Sequence, residues 1–292
     1  MTARGWQHNR WVRLMRLDRP IGSYLLLWPA GWSLLLAGDG RPDLAIALIV
    51  VAGVVVMRAA GCVINDYADR HWDGAVARTA QRPLATGEVR PAQALKLFAL
   101  LLAVALALVL LSGSERTLWL AVLGAGFTVL YPFSKRVTHL PQFVLGLCWA
   151  WSVPIIFSLQ WQMPLRWLQL LPLFLAVLLW TVAFDTFYAM VDRDDDRQVG
   201  IKSTAVWAGQ RDLLFIGLCQ AGALSALAAT ALIYQRGSWF WLGLAIAAGL
   251  FIRQLWWSRG RDREACFRAF LNNHWVGLWL FSALLADYWL PG

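Results

Sequence analysis

Charge is scarce in this chain. Only 15% of its 292 residues are Asp, Glu, Lys or Arg, where soluble domains carry about 25%. The deficit falls in long apolar segments, which excludes an ordinary soluble domain. Paired cysteines are also lacking: Cys62, Cys148, Cys219 and Cys266 stand far apart with no CxxC spacing, so they read as small buried residues. His8, His71, His139 and His274 show no metal-ligand spacing, and His71 reads as a loop residue. No small-residue cleavage site follows the first apolar run, Ile21 to Ala37, which leads directly into Gly38-Asp39-Gly40. An uncleaved first span is therefore expected. The net charge of +9 is dispersed over loops. That suits anionic lipid headgroups and a phosphorylated substrate, and no nucleic-acid partner is expected.

What is present is hydrophobic: 59% of residues, with nineteen tryptophans of the kind that collect at membrane interfaces. The apolar runs predict an all-α, polytopic membrane protein, a bundle of nine transmembrane helices around a central cavity and one domain, 1–292. The spans are expected over Ile21–Ala37, Leu44–Tyr67, Ala92–Leu111, Leu118–Tyr131, Leu140–Leu159, Trp167–Met190, Leu213–Tyr234, Trp239–Trp257 and Phe267–Trp289. Most approach the roughly twenty residues a bilayer requires; the fourth is short. A basic turn, Tyr131 to Arg136, is expected after it. Eighteen basic residues fall on the side of the N-terminal tail, from Arg4 to Arg263, against Arg41, Arg116, Arg166 and Arg236 on the other. The positive-inside rule then predicts a cytoplasmic N-terminus and a C-terminus, Leu290 to Gly292, on the far side.

Acidic residues play no part in that assignment, yet eight of the seventeen fall in two clusters on the same face. The first cluster is Asn65-Asp66-Tyr67-Ala68-Asp69-Arg70-His71-Trp72-Asp73. On a continuous helix Asn65, Asp69 and Asp73 fan over about 80° of one face. Carboxylates set so closely repel unless a hard cation lies between them, and Mg²⁺ takes oxygen ligands beside substrate phosphates. Arg78 and Arg82 follow within reach of a phosphate. The second cluster runs from Asp185 to Asp196. If the helix persists, Asp185, Asp192 and Asp196 share a stripe of roughly 40° with Tyr188 beside it; Asp194 and Asp195 are assigned to solvent. Lys202 follows in a flexible segment.

Two oxygen-rich faces with several cations suit a metal-bound diphosphate, whose departure from an allylic carbon leaves a delocalised carbocation. Apolar spans would shield that cation from water, and aromatic faces could stabilise it. Capture by an electron-rich acceptor is prenyl transfer. The N-D-x-x-D-x-x-x-D string from Asn65 to Asp73 resembles the signature of the intramembrane aromatic prenyltransferases. The second motif carries Tyr188 where many branches have its first acid. That substitution, with Gly61 to Asp66, Tyr131 to Arg136, Tyr188 to Arg193 and Gly200 to Ala205, resembles the 4-hydroxybenzoate polyprenyltransferase branch over nearly the whole chain.

The resemblance implies a Mg²⁺-dependent enzyme that joins a polyprenyl tail, from polyprenyl diphosphate, to 4-hydroxybenzoate ortho to its hydroxyl, in ubiquinone biosynthesis. It implies metal positions at Asn65, Asp69, Asp73, Asp192 and Asp196, with Asp66 off the metal face. It further implies substrate positions at Tyr131 and Lys135, a functional acid at Asp185, and a carboxylate-binding role for Arg58. Arg58 lies seven residues before Asn65, roughly 10 Å deeper along the helix and in nearly the same direction. A structural pair with Asp185 is the alternative for it. Arg78, Arg82, Lys135 and Lys202 are the candidate diphosphate cations. A sister enzyme with another aromatic acceptor, or a secondary transporter, is the rival reading; transporters tend to bind near the midplane between repeats. A compact chain with no long transit peptide fits a bacterial inner membrane.

Overall fold

The computed structural model describes residues 8–76, 78–161 and 164–291, and among them it forms helices and turns with no strand. Arg4 and Gly292, at the two ends of the expected topology, lie outside the described residues. A short helix α1 (Arg10–Leu14) precedes α2 (Ile21–Ala37), α3 (Leu44–Asp69), α4 (Pro91–Leu110) and α5 (Glu115–Val137). Then come α6 (Pro141–Ala150) and α7 (Ser152–Gln160), α8 (Trp167–Val199), α9 (Thr204–Ala208), α10 (Asp212–Ile233), α11 (Ser238–Trp257) and α12 (Arg263–Trp289).

Among the described residues seven stretches are long and apolar enough to cross a membrane, with α6 and α7 forming one of them and α9 and α10 another. With the shorter apolar α2, 17 residues, and the 27-residue α12, which is long but not among those seven, the described residues give nine long helical stretches, in line with the bundle expected. Large apolar side chains such as Leu100, Leu168, Leu218 and Ile252 face outward. In water such a surface would drive aggregation; in lipid it has its natural solvent. This is a multi-pass membrane protein.

The helices close a ring. α2 packs on α3, α3 on α5, α5 on α6, α6 on α8, α8 on α12 and α12 back on α2. α10 and α11 brace the outside of α8 and α12, while α4 packs on α3 and α5. The close approach of α12 to α2 requires Gly277: a methyl there would stand 2.2 Å from the Trp28 ring. At the α8 end, Gly200 takes a left-handed φ of 76°, the geometry that ends a helix cheaply only at glycine. All four cysteines are free thiols; Cys148 is half-buried and the others are buried.

Two boundaries differ from the sequence reading. The basic turn expected from Tyr131 is helical: α5 runs on through Pro132 to Val137, which makes the fourth span 23 residues long. Proline removes one N–H from the ladder, and the helix tolerates that loss near its end. Conversely α3 stops at Asp69, earlier than the motif requires. Arg136 donates to the Ala68 carbonyl and Arg70 to that of Tyr67, 2.6 Å, so side chains occupy acceptors that further helix would use. Trp72 N–H turns back to Asp69, 2.9 Å, and Asp73 opens a short 3-10 turn ending at Ala75.

Candidate active site

A cavity of about 680 Å³ fills the ring. Both acidic clusters line it, together with Arg58, Arg78, Arg82, Tyr131, Lys135, Tyr188 and Lys202. Among the described residues no lining side chain comes from α10 or α11; the wall is built by the ring helices with α1, α4, α7 and the connecting loops.

The structure brings Asn65, Asp69 and Asp73 together by a different route from the single helical face. Asn65 and Asp69 project from the end of α3, as spaced. Asp73 does not continue that face; the turn after α3 carries it back to the same cavity. Its loop is held by burial of Leu84 and Val89 in a small apolar cluster with Leu14, Val63 and Phe98. In the second cluster α8 continues to Val199, so Asp185, Asp192 and Asp196 all reach the cavity as expected.

Lys135, Arg82 and Arg78 are each partnered with acids of the two motifs. Lys135 donates to Asn65 at 2.8 Å and Asp69 at 2.7 Å. Arg82 forks onto Asp73, 2.8 and 2.9 Å, and lies 3.2 Å from the fully buried Asp66. Arg78 grips Asp192 through Nε, 2.9 and 3.0 Å, and through Nη2, and it also donates to the Tyr188 hydroxyl. Burial pushes the Asp73 carboxyl up, more than Arg82 draws it down. For Arg78 burial works downward, but Tyr188 and Asp192 outweigh it and the guanidinium is held more firmly protonated. Lys202 is more peripheral. Its Nζ donates to the Val137 carbonyl at 3.3 Å, and its backbone N–H reaches the Lys135 carbonyl at 3.2 Å.

The side chains of Asp185 and Asp196 line the cavity without a hydrogen bond or ion pair among the described residues, and Asp66 Oδ2 is buried without a partner. Among the same residues no three acids, histidines or cysteines surround a common point. The donor set itself, carboxylates and one amide oxygen on two faces of one chamber, fits a hard divalent cation better than a soft one.

Deeper in the chamber stands Arg58. It does not pair with Asp185; Nη1 contacts Cys62 Sγ at 2.9 Å, and Nε is buried without a partner. Gly22 makes room for it, since a methyl there would lie 2.3 Å from Nε and Nη2. Tyr131, Trp149, Phe184, Tyr188, Phe267 and Phe270 supply aromatic wall, with Tyr188 and Phe270 centroids 4.6 Å apart.

Several participants are not evident from the sequence. Arg16 reaches Asp66 at 2.8 Å from the N-terminal segment. Asp195, expected in solvent, is paired with Arg263 at 2.9 Å, whereas Asp194 is exposed as expected. Arg193 and Arg261 both bind the buried Asp212. These contacts tie the outward face of the second cluster to α10 and α12. No local spacing announces them, because each partner lies many residues away.

The UbiA prenyltransferase family model matches residues 26–281. A 4-hydroxybenzoate octaprenyltransferase of Pseudomonas aeruginosa is 50% identical over 290 residues, covering 99% of this chain and 95% of that protein. The apo structure of a UbiA homolog from Aeropyrum pernix superposes with a TM-score of 0.80 at 27% identity, over 91% of this chain and 97% of that one. A UbiA homolog from Archaeoglobus fulgidus bound to GPP and Mg²⁺ shares the fold, with a TM-score of 0.68 at 17% identity over 94% and 99% of the two chains.

Proposed function

This chain belongs to the UbiA prenyltransferase family, and on that premise we propose that it transfers a polyprenyl group from polyprenyl diphosphate to 4-hydroxybenzoate, ortho to the hydroxyl, as a membrane step of ubiquinone biosynthesis. The observation that carries this reading is the single chamber in which two carboxylate faces and their cations stand above a deep, partly unpartnered arginine and an aromatic wall.

Asn65, Asp69, Asp73, Asp192 and Asp196 are the residues that would hold Mg²⁺. When bound, the ion neutralises charge that develops on the departing diphosphate. Arg78, Arg82, Lys135 and Lys202 bind the diphosphate oxygens. Three of them already lie against the acids, so they exchange a carboxylate for a phosphate rather than move far.

The allylic C–O bond breaks and its electron pair leaves with the diphosphate. Tyr188, Phe270 and Trp149 offer π-faces to the positive allylic group and keep water out. Arg58 orients the acceptor by its carboxylate, a charge that needs a cation once it leaves water. The ring carbon ortho to the hydroxyl bonds to the allyl carbon, and the ring then gives up its proton. Asp185, facing the cavity, receives a proton from the acceptor, while Tyr131 and Lys135 hold the diphosphate end.

The charge asymmetry supports a motif face directed to the cytoplasm of a bacterial inner membrane, with the C-terminus periplasmic. Membranes containing the protein, supplied with prenyl diphosphate and a panel of 4-hydroxybenzoate, naphthoate, homogentisate and haem, test the substrate assignment by mass spectrometry. A prenylated 4-hydroxybenzoate is the expected product; preference for another acceptor would reassign the enzyme to a sister activity.

A further inference from the structure

Away from the chamber, on the outside of the bundle, the end of α11 and the start of α12 carry three arginines that no carboxylate of the described residues neutralises. Arg253, Arg259 and Arg268 make no ion pair among the described residues. Their neighbours differ: Arg261 is paired with Asp212 and Arg263 with Asp195. Glu264, one turn before Arg268 on α12, forms no ion pair with it either.

Two of the three converge on one side chain. The guanidinium of Arg253, from α11, lies 4.7 Å from the Trp257 ring centroid, and that of Arg268, from α12, lies 4.4 Å from it. Holding two like charges on one ring costs repulsion that an anion between or above them would remove. Beside them a groove of about 510 Å³ runs along α11, lined by Gly249, Ile252, Arg253, Leu255, Trp256 and Arg259. Its floor opens at Gly249, where an added methyl would meet nothing within 4 Å, and its apolar wall includes the outward-facing Ile252 and Trp256. Arg253 and Arg259 thus line an apolar slot on the lipid-facing surface, and Arg268 meets Arg253 at the Trp257 ring beside it. They are also on the motif face, because Arg261 and Arg263 of the same segment reach the ends of α10 and α8.

We propose that this is a binding site for one anionic phospholipid, its phosphate held by Arg253, Arg268 and Arg259 and an acyl chain lying in the α11 groove. The charge favours an anionic headgroup over a zwitterionic one, and the groove favours a lipid over free phosphate. Three cations with an aromatic platform at the membrane boundary are the recognition chemistry of such a headgroup.

Native mass spectrometry of the purified full chain tests this. Phosphatidylglycerol, phosphatidylcholine, inorganic phosphate and a short prenyl diphosphate are titrated separately onto wild type, R253Q/R268Q and a control, R166Q. Prenyl-transfer activity reports that each variant is folded. The expected result is one tightly retained phosphatidylglycerol on wild type and R166Q, held roughly thirtyfold more weakly by R253Q/R268Q, with transfer retained. Equal retention of phosphatidylglycerol by all three proteins overturns the proposal. So does equal retention of phosphatidylcholine, since charge would then not be read. Retention of inorganic phosphate alone would make it a simple anion site and overturn the lipid assignment. Weakened retention of prenyl diphosphate by R253Q/R268Q, with phosphatidylglycerol unaffected, would overturn it too and give the groove to the substrate.

Discussion

Lys135 Nζ lies 2.7 Å from Asp69 Oδ2, joining the last turn of α5 to the last turn of α3. The same ammonium reaches Asn65 at 2.8 Å, so one cation spans two residues assigned to the metal. In the proposed mechanism this cation passes from the acids to the diphosphate. K135M is expected to lower kcat/KM for prenyl diphosphate about a hundredfold, the usual loss of one preorganised oxyanion contact. Its effect on apparent affinity for the aromatic acceptor should be small. Steady-state kinetics varying each substrate provide the check; parallel losses in both would point to a structural role.

The acids themselves should matter more. D69A and D192A are each expected to reduce transfer about a thousandfold or more, with the protein still inserted and purified in normal yield. Chelation should do the same to wild type, and added Mg²⁺ should restore it. Full activity in metal-free buffer would remove the ion from the mechanism.

How far the sequence foretold these contacts depends on their range. The nine spans were legible because apolar runs and bilayer thickness are matched in length. Asn65, Asp69, Asp192 and Asp196 were legible because helical spacing alone puts them on common faces. The route of Asp73 into the cavity was not, since α3 ends where Arg136 takes the Ala68 carbonyl, 68 residues away in sequence. Nor was the pairing of Arg78 with Asp192, 114 residues apart. Charge patterning identified both as belonging to one site without showing that they touch.

Arg58 and Gly22 form a second testable pair. R58A should weaken apparent affinity for the aromatic acid about tenfold or more, the scale of a charge-assisted contact, and leave that for prenyl diphosphate nearly unchanged. G22A should act in the same direction, because its methyl would occupy the space of the guanidinium. Steady-state kinetics with the acid varied measure both. An acceptor KM unchanged in the two variants would refute the carboxylate assignment.

Asp212 is fully buried between Arg193 and Arg261. D212N is expected to destabilise the α8, α10 and α12 junction by about 3 kcal/mol, because it leaves two cations short of their buried partner. Thermal unfolding in detergent measures this. A variant as stable as wild type would show that the outward face of the second cluster needs no such anchor.

The proposed reaction comes down to one new bond, from a carbon ortho to the hydroxyl of 4-hydroxybenzoate to the prenyl group. The most direct measurement uses 4-hydroxybenzoate deuterated at both ortho positions, with prenyl diphosphate and Mg²⁺, and mass analysis of the product. Ortho transfer predicts a prenylated product that has lost one of its two deuterium atoms. A prenylated product retaining both would mean that the allylic group was captured elsewhere, at an oxygen or at another ring carbon, and would contradict it.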